Sequence, residues 1–258
     1  MRPQRVLTIA ELAAITVLGA VIFAWPFFAS SAPPESVVFG IALGLVGVLA
    51  FVEAGARRLD ARRFALLATI AAIDAALRLV LVIGVEGFSP FFFLVLVAGY
   101  VYGPSYGFLC GATSLLASAV ATGGIGPWLP YQAIACGWVG LAAGLAGLRR
   151  AGAVSWRDVV ALAMVGVVTG YAFGMLLDVW DWTTFYRGSA TFGFVPGAAA
   201  AELVRRFSTF YVVTSLVYDS FRAAGNAILV LALGAPVIAA LARLRSRFTV
   251  TVVADAAV

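Results

Sequence analysis

The sequence predicts an all-α, polytopic membrane protein, and three observations carry that expectation. Of its 258 residues, 63% are hydrophobic and 11% charged, with a mean hydropathy of +1.05. One soluble core cannot enclose so much apolar surface, so the chain's solvent is largely lipid. Apolar runs near twenty residues recur, each matching a hydrocarbon layer of about 30 Å at 1.5 Å rise per residue. All seventeen basic residues are Arg, and most stand in short stretches between apolar runs, where they report topology and not nucleic-acid binding.

Residues 6–28 form the first apolar run, interrupted by Glu11. It is too long for the core of a signal peptide, so a retained helix is expected, although the small residues of 29–32 follow it. A turn at Pro33 and Pro34 leads to a second run over 37–52. Arg57, Arg58, Arg62 and Arg63 then mark a cytoplasmic loop. Alternation from there gives helices near 64–84, 89–103, 105–121, 130–148, 157–178 and 222–242. Arg149, Arg150 and Arg157 fall inside, as do Arg243, Arg245 and Arg247, and Arg2 with Arg5, which predicts a multi-pass protein of the cell membrane with both termini cytoplasmic. Gly103 and Pro104 separate two helices with almost no turn, and the first of that pair is short enough to tilt or re-enter.

The segment 179–221 departs from simple alternation. Its aromatic residues include Trp180, Trp182, Phe185 and Tyr186, denser than anchoring at a headgroup layer requires. Arg205 and Arg206 precede an amphiphilic stretch over 207–221, which reads as an interfacial helix or an outer extension of the last span.

The chain has no His, which excludes His-based triads, His-ligated metals and His proton relays. Cys110 and Cys136 fall inside expected helices, so no structural disulfide is expected. No Gly-Lys-Ser/Thr phosphate loop occurs, so ATP hydrolysis, if it drives this protein, takes place on another chain. No metal, cofactor or catalytic residue is assigned.

Several residues stand out as binding candidates. Asp74 and Arg78 lie four apart near mid-membrane, where an ionisable group is costly unless paired or facing a polar cavity. They read as bordering a substrate cavity, against the plainer alternative of an ion pair that fixes helix rotation. The Gly- and Pro-rich loop 123–132 offers the flat faces of Trp128 and Tyr131 and the amide of Gln132, suited to stacking on a small planar molecule and hydrogen-bonding to it. Trp180 joins this set from the aromatic segment. Tyr218, Asp219, Arg222 and Asn226 recur at helical spacing before the last apolar run, and Tyr218 and Asn226 are taken as substrate-binding. Asp178 and Asp181 read as solvated charges at a helix end. Gly166, Gly170 and Gly174 form one small-residue row; Ala68, Ala72 and Ala76 form another, with Ala71 and Ala75 parallel to it, and such rows let helices approach closely in lipid.

Four motifs occur in order: Gly99-Tyr-Val-Tyr-Gly-Pro104, Gly107-Phe-Leu-Cys-Gly-Ala112, Gly126-Pro-Trp-Leu-Pro-Tyr-Gln132 and Gly137-Trp-Val-Gly-Leu-Ala-Ala-Gly144. Together they resemble the substrate-binding S component of energy-coupling-factor (ECF) vitamin transporters, most closely over residues 62–150. The resemblance implies a six-helix core over 61–250, preceded by two additional helices in 1–60 and followed by a cytoplasmic tail over 251–258. It implies a vitamin or related micronutrient bound from outside, under caps formed by loops 84–90 and 122–130, and delivery with a transmembrane T component and two ABC-type ATPases. It further implies that Ala68, Ala72 and Ala76 dock on the partner's coupling helices. No residue signature selects the substrate; the long aromatic segment leans toward cobalamin or another large ring. The competing readings are an intramembrane enzyme acting on a lipid or polyprenyl substrate, with Asp74, Asp178 and Asp181 as its acids, and a purely structural membrane subunit.

Overall fold

Three helices cross where none of them carries a side chain. A Cβ on Gly107 would strike the carbonyl of Gly140, one on Gly140 would strike the carbonyl of Gly107, and one on Gly99 would meet Gly140 as well. These glycines belong to α4 (Phe91–Tyr102), α5 (Pro104–Thr122) and α6 (Leu129–Gly147). Backbone-on-backbone approach of this kind supplies the dispersion contacts that hold helices together in lipid, where no hydrophobic effect drives them. Glycines recur every fourth residue at Gly99, Gly103, Gly107 and Gly111, and the stripe is shared between α4 and α5. Gly103, at φ +101°, ends α4 and begins α5, a conformation that side chains resist.

The computed structural model describes residues 3–28, 34–55, 59–80, 88–148, 153–188 and 191–248. The expected cleavage-like stretch 29–32, Arg2, Arg57, Arg58, Arg149, Arg150, most of loop 84–90 and the tail 251–258 lie outside these residues. The remaining helices are α1 (Pro3–Ala24), continued by a short 3-10 turn over Trp25–Phe27, α2 (Glu35–Gly55), α3 (Ala61–Val80), α7 (Trp156–Thr184), α8 (Ala200–Thr214) and α9 (Leu216–Phe248). Among the described residues no strand is present, and six helices are long and apolar enough to span a membrane. The fold is all-α and polytopic, as the apolar runs predict.

Helix α4 has only 12 residues, about 18 Å at 1.5 Å per residue, too short to cross alone. It is almost wholly buried among α5, α6, α7 and α9, so its neighbours and not lipid surround it. Helix α7 starts where Ser155 and Asp158 form a capping box, with Ser155 N–H donating to Asp158 Oδ2 at 2.8 Å. It runs past the expected end at 178, because Trp180, Trp182 and Thr183 are buried and Trp182 Nε1 donates to the Phe192 carbonyl at 2.6 Å. Asp178 accordingly sits inside the helix at 8% exposure and is not the solvated helix-end charge expected from sequence. The stretch after it resolves into both expected forms: α8 is a separate amphipathic helix, and α9 begins six residues ahead of the expected 222.

The two N-terminal helices lie against α5 and α6. Gly19 of α1 meets the indole of Trp138, and Val46 and Leu49 of α2 join Phe108, Leu109 and Ala112 in the packed interior.

Candidate functional site

Helices α3 and α5 pack side by side in one direction, and their polar residues match turn for turn. Arg78 Nη1 donates to Ser118 Oγ at 2.9 Å. One turn deeper Asp74 stands opposite Ser114, both fully buried. The expected alternative of an Asp74–Arg78 ion pair is not formed: both Asp74 carboxyl oxygens and Ser114 Oγ lack a hydrogen-bond partner among the described residues. The i, i+4 spacing would allow the pair, but both side chains turn toward the serines on α5. Cys110 and Cys136, free and buried, lie within electrostatic range of Asp74.

Toward the same end, the α5–α6 turn is fixed by Gly123 at φ +70° and by Trp128, whose Nε1 donates to the Gly124 carbonyl at 3.3 Å. Tyr131 is 4% exposed. Its ring packs against Phe23 at 5.2 Å and Trp180 at 5.4 Å, and its hydroxyl accepts a hydrogen bond from Trp25 Nε1 at 3.0 Å. Gln132, half-buried, follows one residue on. The structure thus joins Tyr131 with Trp180 and adds Phe23 and Trp25. Sequence reading missed these two; the Trp-Pro pair closing the first apolar run was the available signal.

The third group lies along the seam of α7 and α9, where the glycine row of α7 receives the polar row of α9. Asn226 Nδ2 donates to the Gly166 carbonyl at 3.0 Å, and Arg222 Nη1 donates to the Gly170 carbonyl at 3.4 Å. At Gly174 the place of a Cβ is taken by the Asp219 carboxylate. Arg222 pairs with Asp219 and covers the rings of Phe173 at 5.3 Å and Tyr218 at 5.1 Å. Tyr211 of α8 donates to Asp219 Oδ2 at 3.1 Å. Burial foremost, and the Asp219 charge after it, push the Tyr211 phenol up, so it stays a donor. Ser215 donates to Asp178 Oδ1 at 2.7 Å. Tyr218 is half exposed, whereas Asn226 is buried in the seam, about 12 Å of helix rise deeper. Tyr211, Ser215, Ser114 and Ser118 were not singled out in the sequence.

On the outer surface of α3, Ala68, Ala72 and Ala76 are exposed, while Ala71 and Ala75 face inward at 6% and 8% exposure. A shallow apolar crevice, too tight to admit a water-sized sphere, lies between α2 and the α5–α6 pair, lined by Phe39, Leu43, Leu116 and Pro130 among others. Among the described residues no three His, Cys, Asp or Glu side chains gather as a metal site would need.

Glycine-packed helices long enough to span lipid, with polar and aromatic side chains of α1, α3 and α5 to α9 held between them, define an integral membrane bundle. The family described as "ECF transporter, substrate-specific component" matches residues 62–234, from the start of α3 into α9. The chain belongs to that family and is a substrate-specific transporter component. The matched region excludes α1 and α2. Comparison with curated proteins and with solved structures yields no match.

Proposed function

We propose that the chain binds a vitamin or related micronutrient from outside the cell and delivers it with a transmembrane T component and two ABC-type ATPases. The division of labour within α3 carries this reading. Its inner face presents Asp74 and Arg78 to the bundle, while its outer face leaves Ala68, Ala72 and Ala76 bare. A ligand site and a docking surface on one rigid helix would let a partner sense occupancy. Residues 61–250 form the substrate-binding core and 1–60 an added pair of helices, with both termini on the cytoplasmic side. Arg78, Asp74, Trp128, Tyr131, Gln132, Trp180, Tyr218 and Asn226 remain the residues proposed to meet or flank the substrate. In this reading Asn226 and Tyr131 act from positions already braced by Gly166 and Trp25.

Purification of the full chain in detergent, with mass spectrometry of the extracted small molecules, tests the binding half. A near-stoichiometric vitamin-like molecule is expected. Co-expression with candidate T components and ATPases tests the other half, with co-purification of both expected. A protein that carries no small molecule and retains no ATPase would overturn the proposal.

A further inference from the structure

Among the described residues at the α5–α6 turn end, Arg78 is a cation inside the bundle with no carboxylate of its own. It forms no ion pair with a described residue, and of its five N–H donors one is engaged among them, by Ser118 Oγ at 2.9 Å. The neighbouring acids are otherwise engaged or deeper: Asp219 is held by Arg222 and Tyr211, Asp178 by Ser215, and Asp74 faces Ser114 a turn below. Tyr218 of α9 and Cys136 of α6 stand within electrostatic reach of the guanidinium. Arg78 is therefore half-buried against α5, with groups of α6 and α9 near enough to act on its charge. An ionised group kept half-buried in a span without a counterion is costly, and the cost is met when something of opposite charge arrives.

We propose that the substrate carries an anionic group, a carboxylate or a phosphate, and that Arg78 is the residue that receives it. This rests on the substrate-binding reading above. Ser118 holds the guanidinium from one side, leaving the fork of remaining N–H groups free for two parallel bonds to paired oxygens, the geometry Arg offers and Lys does not. The phenol of Tyr218, within electrostatic reach of the guanidinium, supplies a neutral donor for the same end of the ligand.

The test titrates the purified full-length protein with matched probes: riboflavin 5′-phosphate against riboflavin, biotin against biotin amide, and pantothenate against pantothenol. The expected result is a pair whose anionic member binds about tenfold or more tighter, with the preferred pair telling phosphate from carboxylate. Arg78→Gln should weaken the anionic member to the level of its neutral counterpart and leave that counterpart unchanged, with Arg78→Lys intermediate; the melting temperature of each variant confirms that it folds. Equal binding of both members by the wild type, or equal weakening of both by Arg78→Gln, overturns the inference. If no probe binds, the molecule that co-purifies with the wild type decides. One bearing a carboxylate or phosphate, and lost from Arg78→Gln, supports the inference; one without such a group overturns it while leaving the substrate-binding reading intact. No bound probe and no co-purifying molecule overturns both.

Discussion

The indole of Trp25 donates a 3.0 Å hydrogen bond to the phenol oxygen of Tyr131, tying a segment outside the family-matched region to the start of α6. Phe23 packs against the same ring, and Phe27 meets Phe194 beyond α7 at 5.6 Å. The end of α1 is therefore fastened where the aromatic side chains of α6 and α7 gather. Trp25→Phe and Tyr131→Phe each delete the hydrogen bond and keep an aromatic ring at the position. A double-mutant cycle on unfolding in mixed micelles should return a coupling of about 0.6 kcal/mol, and at most about 1.7. Additive effects of the two changes would show that the bond contributes nothing in solution.

The spans were legible because lipid leaves a simple mark: long apolar runs, punctuated by Gly, Pro and Arg. Their ends were less so. The last turn and a half of α7 reads as aromatic loop, since Trp180 and Trp182 serve a belt or a core equally well by composition. The site was legible in its residue types and not in its pairings. Asp74 and Arg78 at i, i+4 suggest each other, and only the alignment of α3 beside α5 reveals Ser114 and Ser118 as what they face. Which helix receives that face of α3 is something no local pattern names. Trp25 escaped because its role depends on a contact 106 residues away.

The crossing of α4, α5 and α6 makes a sharper demand on Gly107 and Gly140, each of which sits against the other's carbonyl. Gly107→Ala or Gly140→Ala forces backbone apart from backbone, and overpacking of this kind costs about 1–3 kcal/mol or more. Gly44→Ala in α2, where nothing lies within 4 Å of the new methyl, should leave stability within about 1 kcal/mol of the parent. Thermal unfolding followed by a thiol dye on the buried Cys110 and Cys136 separates the two classes, and equal melting temperatures would contradict the crossing.

Between α7 and α9, Arg222 at 8% exposure and Asp219 at 1% are a buried pair, so the cost of losing one depends on what becomes of the other. Asp219→Ala leaves a guanidinium buried among Phe173 and Gly170 without its paired carboxylate, a loss of about 3–5 kcal/mol. Asp219→Ala combined with Arg222→Met removes both charges and should be the more stable of the two proteins. Unfolding of both variants in the same detergent decides this, and a double variant less stable than the single one would show that Arg222 finds another partner.

On α3, neighbouring alanines should respond in opposite ways. Ala71 faces the bundle at 6% exposure, beside Leu67 and Ile70, so Ala71→Leu drives a larger side chain into packed surface and lowers the melting temperature at a cost of about 1–3 kcal/mol. Ala72 is exposed, and a leucine there meets only lipid in the isolated protein, so Ala72→Leu should fold and keep its bound small molecule. If the row of Ala68, Ala72 and Ala76 is where the T component's helices dock, the same leucine holds two backbones apart that must come close. Ala72→Leu should then lose co-purification of the T component and the ATPases, and with it uptake by cells. Uptake and complex yield equal to the parent would move the docking surface off this face of α3, while an Ala72→Leu protein that fails to fold would show the face to be occupied within the chain itself.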